Sequence, residues 1–435
     1  MRLLITGGRV IDPVNGIDDT LDVLVDNGQI IRVQGKKNKK PTNQGASPTN
    51  VDRVIDAAGK VVVPGLIDMH VHLREPGRED EETIASGTAA AARGGFTSIC
   101  CMPNTEPVND SASVTEYILE QAKKSGLVNV FPIGCISRGQ QGEELAEIGE
   151  LVAAGCIGLS DDGKPVMNTE LMRRALEYAT MFDVPLIPHC EDLTLSAGGV
   201  MHEGRVSTEL GLRGIPSTAE AIMVGRDILL SEYAGARLHI CHVSTAESIR
   251  LIREARARGV QVSGEATPHH LILTDEAVRD FSTNTKMNPP LRSAEDVTAL
   301  REAIIDGTIE VIATDHAPHA SAEKEMEYDY APFGIIGLET ALGLILTEFY
   351  HARFLTLPMI VERLTSNPAR ILKLKHKGTL APGADADITI LDPDQEWIVE
   401  DNWQSKSKNS PFIGWKFKGR AVMTIVAGQV VWETR

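Results

Sequence analysis

The stretch Asp68-Met-His-Val-His-Leu-Arg-Glu-Pro-Gly77 closes an apolar run, VVVPGLID, that begins at Val61. Residues two apart on a strand point to one face, so His70 and His72 can reach a single ion. Arg74 follows with the same period. An isolated His-x-His at a strand end is more often two ordinary histidines. Here later strand-like runs also end in ligand-type residues, and that coincidence favours a metal site.

Working outward, apolar runs recur at VVVPGLIDMHVHL, TSICCMPN, VNVFPIGCI, CIGLSDD, VPLIPHC, RLHICHVS, VQVSGEATPHH and IEVIATDHAPH. Helix-type segments separate most of them, among them EETIASGTAAAARG, SVTEYILEQAKKSG, TELMRRALEYAT and TAESIRLIREARARG. Eight β units with covering helices predict an α/β chain whose core is a closed parallel barrel, a (β/α)8 TIM-like barrel over 61–374. An open doubly wound sheet is the alternative, but no Gly-rich dinucleotide loop is present. Residues 1–60 and 375–435 share a different style, short alternating β runs with Gly turns. The two chain ends are therefore expected to build one small β-domain together. The lysine-rich, polar stretch 36–50 reads as an exposed loop between two of its strands.

Every singled-out residue lies at the C-terminal end of a run. His70 and His72 end the first, Asn104 the second, Asp162 the fourth and His189 the fifth. His242 is near the end of the sixth, and Asp315 and His319 close the eighth. Parallel barrels carry their chemistry on that rim. Four histidines and two aspartates form a nitrogen- and oxygen-rich set that suits zinc or another first-row divalent ion. Six candidates exceed the needs of one tetrahedral ion, whereas two ions sharing a carboxylate would use them all. Arg74 and Asn104 at such a mouth are a fork and an amide suited to a carboxylate.

Several neighbours take bland readings. Asp161-Asp162-Gly163 is by default a turn, raised only by its position. His239, an odd separation from His242, is read as structural, and His316, next to Asp315, should point away from it. His269 and His270 stay unassigned, and Lys164 reads as a surface lysine.

Composition narrows the partners. The formal net charge of the 435 residues is −17, which disfavours nucleic acid or an anionic membrane. No uncharged apolar run approaches the ~20 residues of a membrane span, and the opening MRLLITGGRVID does not read as a signal peptide. The six cysteines lack zinc-ribbon spacing and are read as reduced core thiols of a cytoplasmic protein.

The motifs DMHVHLREPG, MPNT, DDGKPV, PHCED, CHVSTAESI, TPHHL, KMNPPLR and ATDHAPH…EK…APFGIIGLET stand in the order found in dihydroorotases. Over nearly its whole length the chain resembles the type I branch of that family, within the amidohydrolase superfamily. The resemblance implies a distorted (β/α)8 barrel with a small β-sandwich made from both termini. It implies metal ligation by His70, His72, Asp162, His189, His242 and Asp315, with Asp315 also the general acid/base. It implies substrate contacts from His72, Arg74, Asn104, Asn288, His319 and the Phe333-Gly334 backbone. Two zinc ions are expected, although the resemblance leaves open whether one or two are held. The expected reaction is the reversible, zinc-dependent cyclisation of N-carbamoyl-aspartate to dihydroorotate in pyrimidine synthesis. The rival readings are a hydantoinase, dihydropyrimidinase or allantoinase on the same barrel, and an inactive scaffold for aspartate transcarbamoylase. The first group bridges its metals with a carboxylated lysine, and no lysine lies within the fourth run. The second would be expected to lose ligands, and all six are present. A homodimer is expected, with association with aspartate transcarbamoylase as a further prospect.

Overall fold

The computed structural model describes residues 1–35 and 51–434. The lysine-rich stretch 36–50 lies outside the described residues.

The first apolar run is not one strand but two. Val61–Pro64 pairs with Arg2–Asp12 and with Ile388–Ile398, whereas Leu66–Val71 pairs with Phe96–Cys101. The break falls at Gly65, where a Cβ would overlap the Thr97 side chain, so the chain crosses between two layers at a residue without one. Val61–Pro64 thus joins an eight-stranded sheet ordered 429–433, 416–426, 388–398, 61–64, 2–12, 17–26 and 29–34, with 53–56 also pairing on 2–12. Both chain ends contribute to it. Leu3, Ile5, Val10, Val23, Val25, Val62, Ile388, Ile390 and Ile425 pack in a core of their own beneath this sheet.

A second set of pairings is parallel throughout. Leu66–Val71 pairs with Phe96–Cys101, and that strand with Asn129–Pro132. Single bridges then link Gly134 to Leu159, Leu159 to Leu186, and Leu186 to Leu238. Leu238–Ile240 pairs with Val262–Ala266, which pairs with Val311–Ile312, and His316 bridges to Val71. The fourth and fifth runs, expected as strands, are each represented by one bridging leucine. Pro185 and Pro188 flank Leu186 and have no N–H to give a regular ladder.

The helices between the runs follow the expected segments. Ile84–Gly94 starts at Thr83, whose side chain accepts from Ser86 N, and stops at Gly95, which has a positive φ of 93°. Thr169–Ala179 buries Leu171, Met172, Ala175, Leu176 and Ala179, one stripe at helical spacing, while its charged residues face solvent. These stripes and the outward faces of the strands make the largest core. All six cysteines are buried and free. Among the described residues no helix is long and apolar enough to cross a membrane.

The C-terminal segment departs from simple β character. Between Ile398 and Lys416 it leaves the sheet and returns. The base of the excursion is closed by Val399 N to Trp415 O at 2.9 Å and Gly414 N to Val399 O at 2.8 Å.

Candidate active site

The side chains singled out at the strand ends meet in one buried cluster. His70 Nε2 is 3.4 Å from Asp162 Oδ1 and 3.4 Å from Asp315 Oδ1. His72 Nε2 is 3.1 Å from Asp315 Oδ1 and 3.4 Å from Asp162 Oδ2. His242 Nε2 stands 3.5 Å from Asp162 Oδ1 and 3.0 Å from His189 Nδ1. Two overlapping groups of ligand-type atoms result, His70–His72–Asp315 and His70–Asp162–Cys241–His242. His70 belongs to both. Asp162 reaches His72 as well, so its two oxygens face opposite halves of the cluster.

The donor set fits a metal. His70 Nε2 and Asp162 Oδ1 are buried and have no hydrogen-bond partner. Orphaned polar atoms at this depth are costly unless something neutralises them. Ligand bonds of about 2.0–2.1 Å in a tetrahedral site separate the ligand atoms by about 3.3 Å, which is near most of the spacings above. Cys241 is a weaker candidate, since its thiol donates to Ile187 O at 3.5 Å and burial pushes its pKa up.

Three of the four histidines are held from behind. His70 Nδ1 donates to Glu265 Oε1 at 2.7 Å, His72 Nδ1 to Asn104 Oδ1 at 2.8 Å, and His189 Nε2 to Glu191 Oε2 at 2.9 Å. Burial alone would raise both glutamates. The neighbouring histidines nevertheless hold Glu265 and Glu191 down at about 2. The ionised carboxylates fix which ring nitrogen carries the proton and leave the other nitrogen's lone pair facing the cluster. Burial also pushes Asp162 and Asp315 up, yet the surrounding histidines, His70 foremost, hold both carboxyls below the usual range.

The chain follows strand and turn geometry here except at chosen points. His242, Asp315 and Arg74 have positive φ values of 28°, 48° and 61°, a region that L residues with a Cβ adopt only at a cost. Asp161 turns away from the cluster, as expected, and accepts from Ile136 N at 2.8 Å and Ser137 N at 3.1 Å. Burial raises its carboxyl to about 6. His316 also turns away, 3.3 Å from Glu82 Oε2. His239 bonds Ser263 Oγ at 2.8 Å and Glu265 Oε2 at 3.1 Å, so this structural histidine supports the carboxylate that supports His70. His270 bonds Pro289 O at 2.8 Å.

Beside the cluster opens a cavity of about 200 Å3, lined by His72, Arg74, Asn104, His189, Asn288, Asp315, His319, Phe333 and Gly334. A second, outer cavity of about 350 Å3 shares Arg74, Asn104 and His319, and there Lys164 forms part of the wall. Arg74 Nε is held by Glu81 Oε2 and Pro318 O, both at 3.1 Å. Its Nη2 lies 3.4 Å from His319 Nε2, and the guanidinium lines both cavities. His319 Nδ1 lies 2.9 Å from Glu81 Oε1, and its Nε2 donates to Phe333 O at 2.7 Å. Burial would raise Glu81, but His319 and Arg74 hold it at about 2. Asn288 donates to Glu191 Oε2 at 2.8 Å. The Gly334 N–H is already given to Lys286 O at 2.9 Å, so the backbone of that segment reaches the cavity with one donor committed.

Sequence reasoning missed Glu265, Glu191 and Glu81. The signal for Glu265 was an acid inside the fully buried strand Val262–Ala266. Glu191 lies two residues past His189. Glu81 carries no local signal, because its partners Arg74 and His319 come from two different strand ends.

Residues 59–248 match the Dihydro-orotase-like family, and residues 233–432 match the Amidohydrolase family. The chain is 58% identical over 436 residues to the dihydroorotase of Pelotomaculum thermopropionicum, covering 100% of this chain and 99% of that one. It is 55% identical over 434 residues to the dihydroorotase of Syntrophus aciditrophicus, with 100% of both covered. Among solved structures it is similar to the L-hydantoinase (dihydropyrimidinase) from Arthrobacter aurescens, with a TM-score of 0.88 and 28% identity, covering 99% of this chain and 96% of that one. The dihydropyrimidinase from Brevibacillus agri gives a TM-score of 0.84 and 25% identity, covering 100% of this chain and 95% of that one. The hydantoinase likeness describes a shared amidohydrolase scaffold. The full-length identity to dihydroorotases is about twice as high, and on that ground the chain belongs to the dihydroorotase family.

Proposed function

We propose that the chain catalyses the reversible cyclisation of N-carbamoyl-aspartate to dihydroorotate with zinc held by His70, His72, Asp162, His189, His242 and Asp315. The observation that carries this reading is the single cavity in which Asp315 and the histidines adjoin a wall of Arg74, Asn104 and His319. Zinc bound there would polarise the ring amide carbonyl and acidify water. Two ions are the preferred count, since Asp162 turns Oδ1 towards His242 and Oδ2 towards His72.

Everything else falls to the chain. Arg74 and Asn104 hold the substrate carboxylate and its neighbouring carbonyl, which fixes the amide presented to Asp315; His319, whose ring nitrogens are engaged by Glu81 and Phe333 O, would exchange Phe333 O for the substrate to join them. Asn288 and the Phe333-Gly334 backbone complete the wall. Asp315, ionised by its histidine neighbours, takes a proton at its carboxylate and returns it to the ring nitrogen that leaves on hydrolysis. In the direction of cyclisation the same carboxylate removes the proton from the ureido nitrogen. Burial of the cluster limits competing water.

The parallel pairings from Leu66 to His316 support reading a (β/α)8 barrel that starts at Leu66, not at 61, and runs to 374. The mixed sheet, which takes in Val61–Pro64, supports reading the two chain ends together as a β-sandwich. A homodimer, an association with aspartate transcarbamoylase and a cytoplasmic location stay expectations of the family resemblance.

The test is turnover by the purified, zinc-loaded chain with dihydroorotate, hydantoin and dihydrouracil in parallel. Ring opening of dihydroorotate at a kcat/KM well above the other two is expected, because only dihydroorotate offers Arg74 a carboxylate. Preference for a ring without the carboxylate, or no turnover of any, would overturn the assignment.

A further inference from the structure

The wall that faces the substrate carboxylate stands on two loops with little pairing of their own. One is Ala317–His319, after the eighth strand. The other is Pro332–Ile336. They meet through Ala317 N to Ile335 O at 2.8 Å and a single bridge from His316 to Ile335. A third segment, from outside the parallel circuit, lies against both. It is the excursion at 400–414, between the strands Ile388–Ile398 and Lys416–Val426.

Asn409 is the residue at the junction. Its Nδ2 donates to Ala317 O at 2.9 Å and to Gly334 O at 3.1 Å. Its Oδ1 accepts from His319 N at 3.2 Å. Its own carbonyl accepts from Ile336 N at 3.0 Å. One side chain that is 4% exposed therefore satisfies three backbone groups on two loops, and its backbone a fourth. Gly334 O is shared with the buried Lys324, whose Nζ donates to it at 3.0 Å and to Pro332 O at 2.9 Å.

The same excursion grips the opposite side of the wall. Ser407 Oγ donates to Glu81 O at 2.7 Å, Lys406 N donates to Glu82 Oε1 at 3.1 Å, and Ser405 Oγ bonds Glu82 Oε2. Glu81 in turn orients Arg74 and His319 through its carboxylate. The excursion thus holds Glu81 by its backbone, and His319 and Gly334 by Asn409.

We propose that Asn409 is a positioning residue for substrate recognition, and that the C-terminal excursion sets the spacing between Arg74 and His319. The proposal rests on the reading of that wall as the substrate-carboxylate site. It adds that the site is incomplete without a segment that comes from the terminal sheet. Asn409 does not touch the cavity. It acts by fixing the backbone at His319, whose imidazole bridges Glu81 and Phe333 O. A misplacement of about 1 Å at a binding group is enough to lose a large factor in productive binding.

The experiment compares the zinc-loaded full chain with Asn409→Ala, Asn409→Asp and Lys408→Ala. Alanine removes all three side-chain bonds. Aspartate keeps the volume and the acceptor for His319 N but loses both donors. Lys408 pairs with Asp401 at 3.2 Å and serves as the control in the same segment. The expected result is a KM for dihydroorotate at least ~10-fold higher in Asn409→Ala, with kcat within about threefold and zinc content unchanged. Asn409→Asp should raise KM in the same sense and carries the test if the alanine variant does not fold. Unchanged KM in both folded Asn409 variants would overturn the proposal. So would an equal shift in Lys408→Ala, or a fall in kcat with zinc loss at constant KM. Absence of dihydroorotate turnover by the unmutated chain would instead overturn the functional reading, and the proposal with it.

Discussion

Glu265 has the strongest claim to support the metal ligands without being one, and its removal makes a quantitative test. The carboxylate is 0% exposed. Its Oε1 accepts from His70 Nδ1 at 2.7 Å and from His242 N at 3.3 Å, and its Oε2 takes His239 Nε2 at 3.1 Å. One acid therefore orients His70, which both halves of the cluster share, and steadies the backbone of His242, a second proposed ligand. Glu265→Gln keeps the shape but removes the charge. It also turns an amide N–H towards either His70 or His239, where an acceptor is needed. A hydrogen bond to a charged group contributes roughly 1.5–3 kcal/mol, against about 1 kcal/mol for a neutral one. The net loss at His70 is then about 0.5–2 kcal/mol. At about 1.4 kcal/mol per decade this is roughly a 2- to 30-fold weakening of zinc binding. The usual cost of removing such an outer carboxylate is about 10- to 100-fold, which overlaps that range. The assay is competition for zinc between the stripped protein and a chromophoric chelator at fixed pH. Turnover at saturating zinc is measured alongside. Zinc affinity within about twofold of the unmutated chain would refute the reasoning, whatever the activity.

Asp315→Asn removes the proton acceptor and keeps the shape. Turnover should fall at least ~10²-fold with zinc content retained, as measured by steady-state rates and metal analysis. Arg74→Lys keeps the charge but loses the planar fork, so KM for dihydroorotate should rise while zinc content stays constant; loss of zinc instead would make Arg74 a support of the metal shell. Cyclisation consumes one proton, because a carboxylate and a ureido group condense to a neutral amide and water. The equilibrium ratio of dihydroorotate to N-carbamoyl-aspartate should fall about tenfold per unit of rising pH, and chromatography of equilibrated mixtures would expose a ratio that does not move. Stripped protein restored with zinc in carbon-dioxide-free buffer should recover equally with and without bicarbonate, since Asp162 supplies its carboxylate from the chain itself. Asp162→Ala should abolish that recovery, whereas Asp161→Ala, whose carboxylate faces Ser137, should be milder.

The ligand-type residues were legible in the sequence because strand periodicity is a local property. His70 and His72 share a face through two-residue spacing. Asp161 and Asp162 part company at a turn rather than on a strand, and Asp315 and His316 where Asp315 takes a positive φ of 48°, so the expected outcome is reached there by other geometry. Repeating apolar runs with intervening amphipathic segments likewise announced a parallel α/β chain, and the clustering of His, Asp and Asn at run ends announced a common rim.

What pattern could not reach was anything settled by packing between distant segments. No periodicity shows that VVVPGLIDMHVHL is cut at Gly65, because the cut is imposed by the Thr97 side chain some thirty residues on. The carboxylates that hold the site's side chains, Glu265 behind His70 and Glu81 behind His319, are paired across 195 and 238 residues. Their role is a matter of buried donors finding acceptors, and a single sequence does not record which donor finds which. Asn409 is the extreme case. It sits in a polar stretch, QSKSKNS, whose composition reads as solvent-exposed loop. Only the tertiary structure buries it, because the loops carrying His319 and Gly334 leave backbone groups that strand pairing does not satisfy. The sequence by itself determined which residue types face the rim. The structure decided which of them are held, from behind and from how far along the chain.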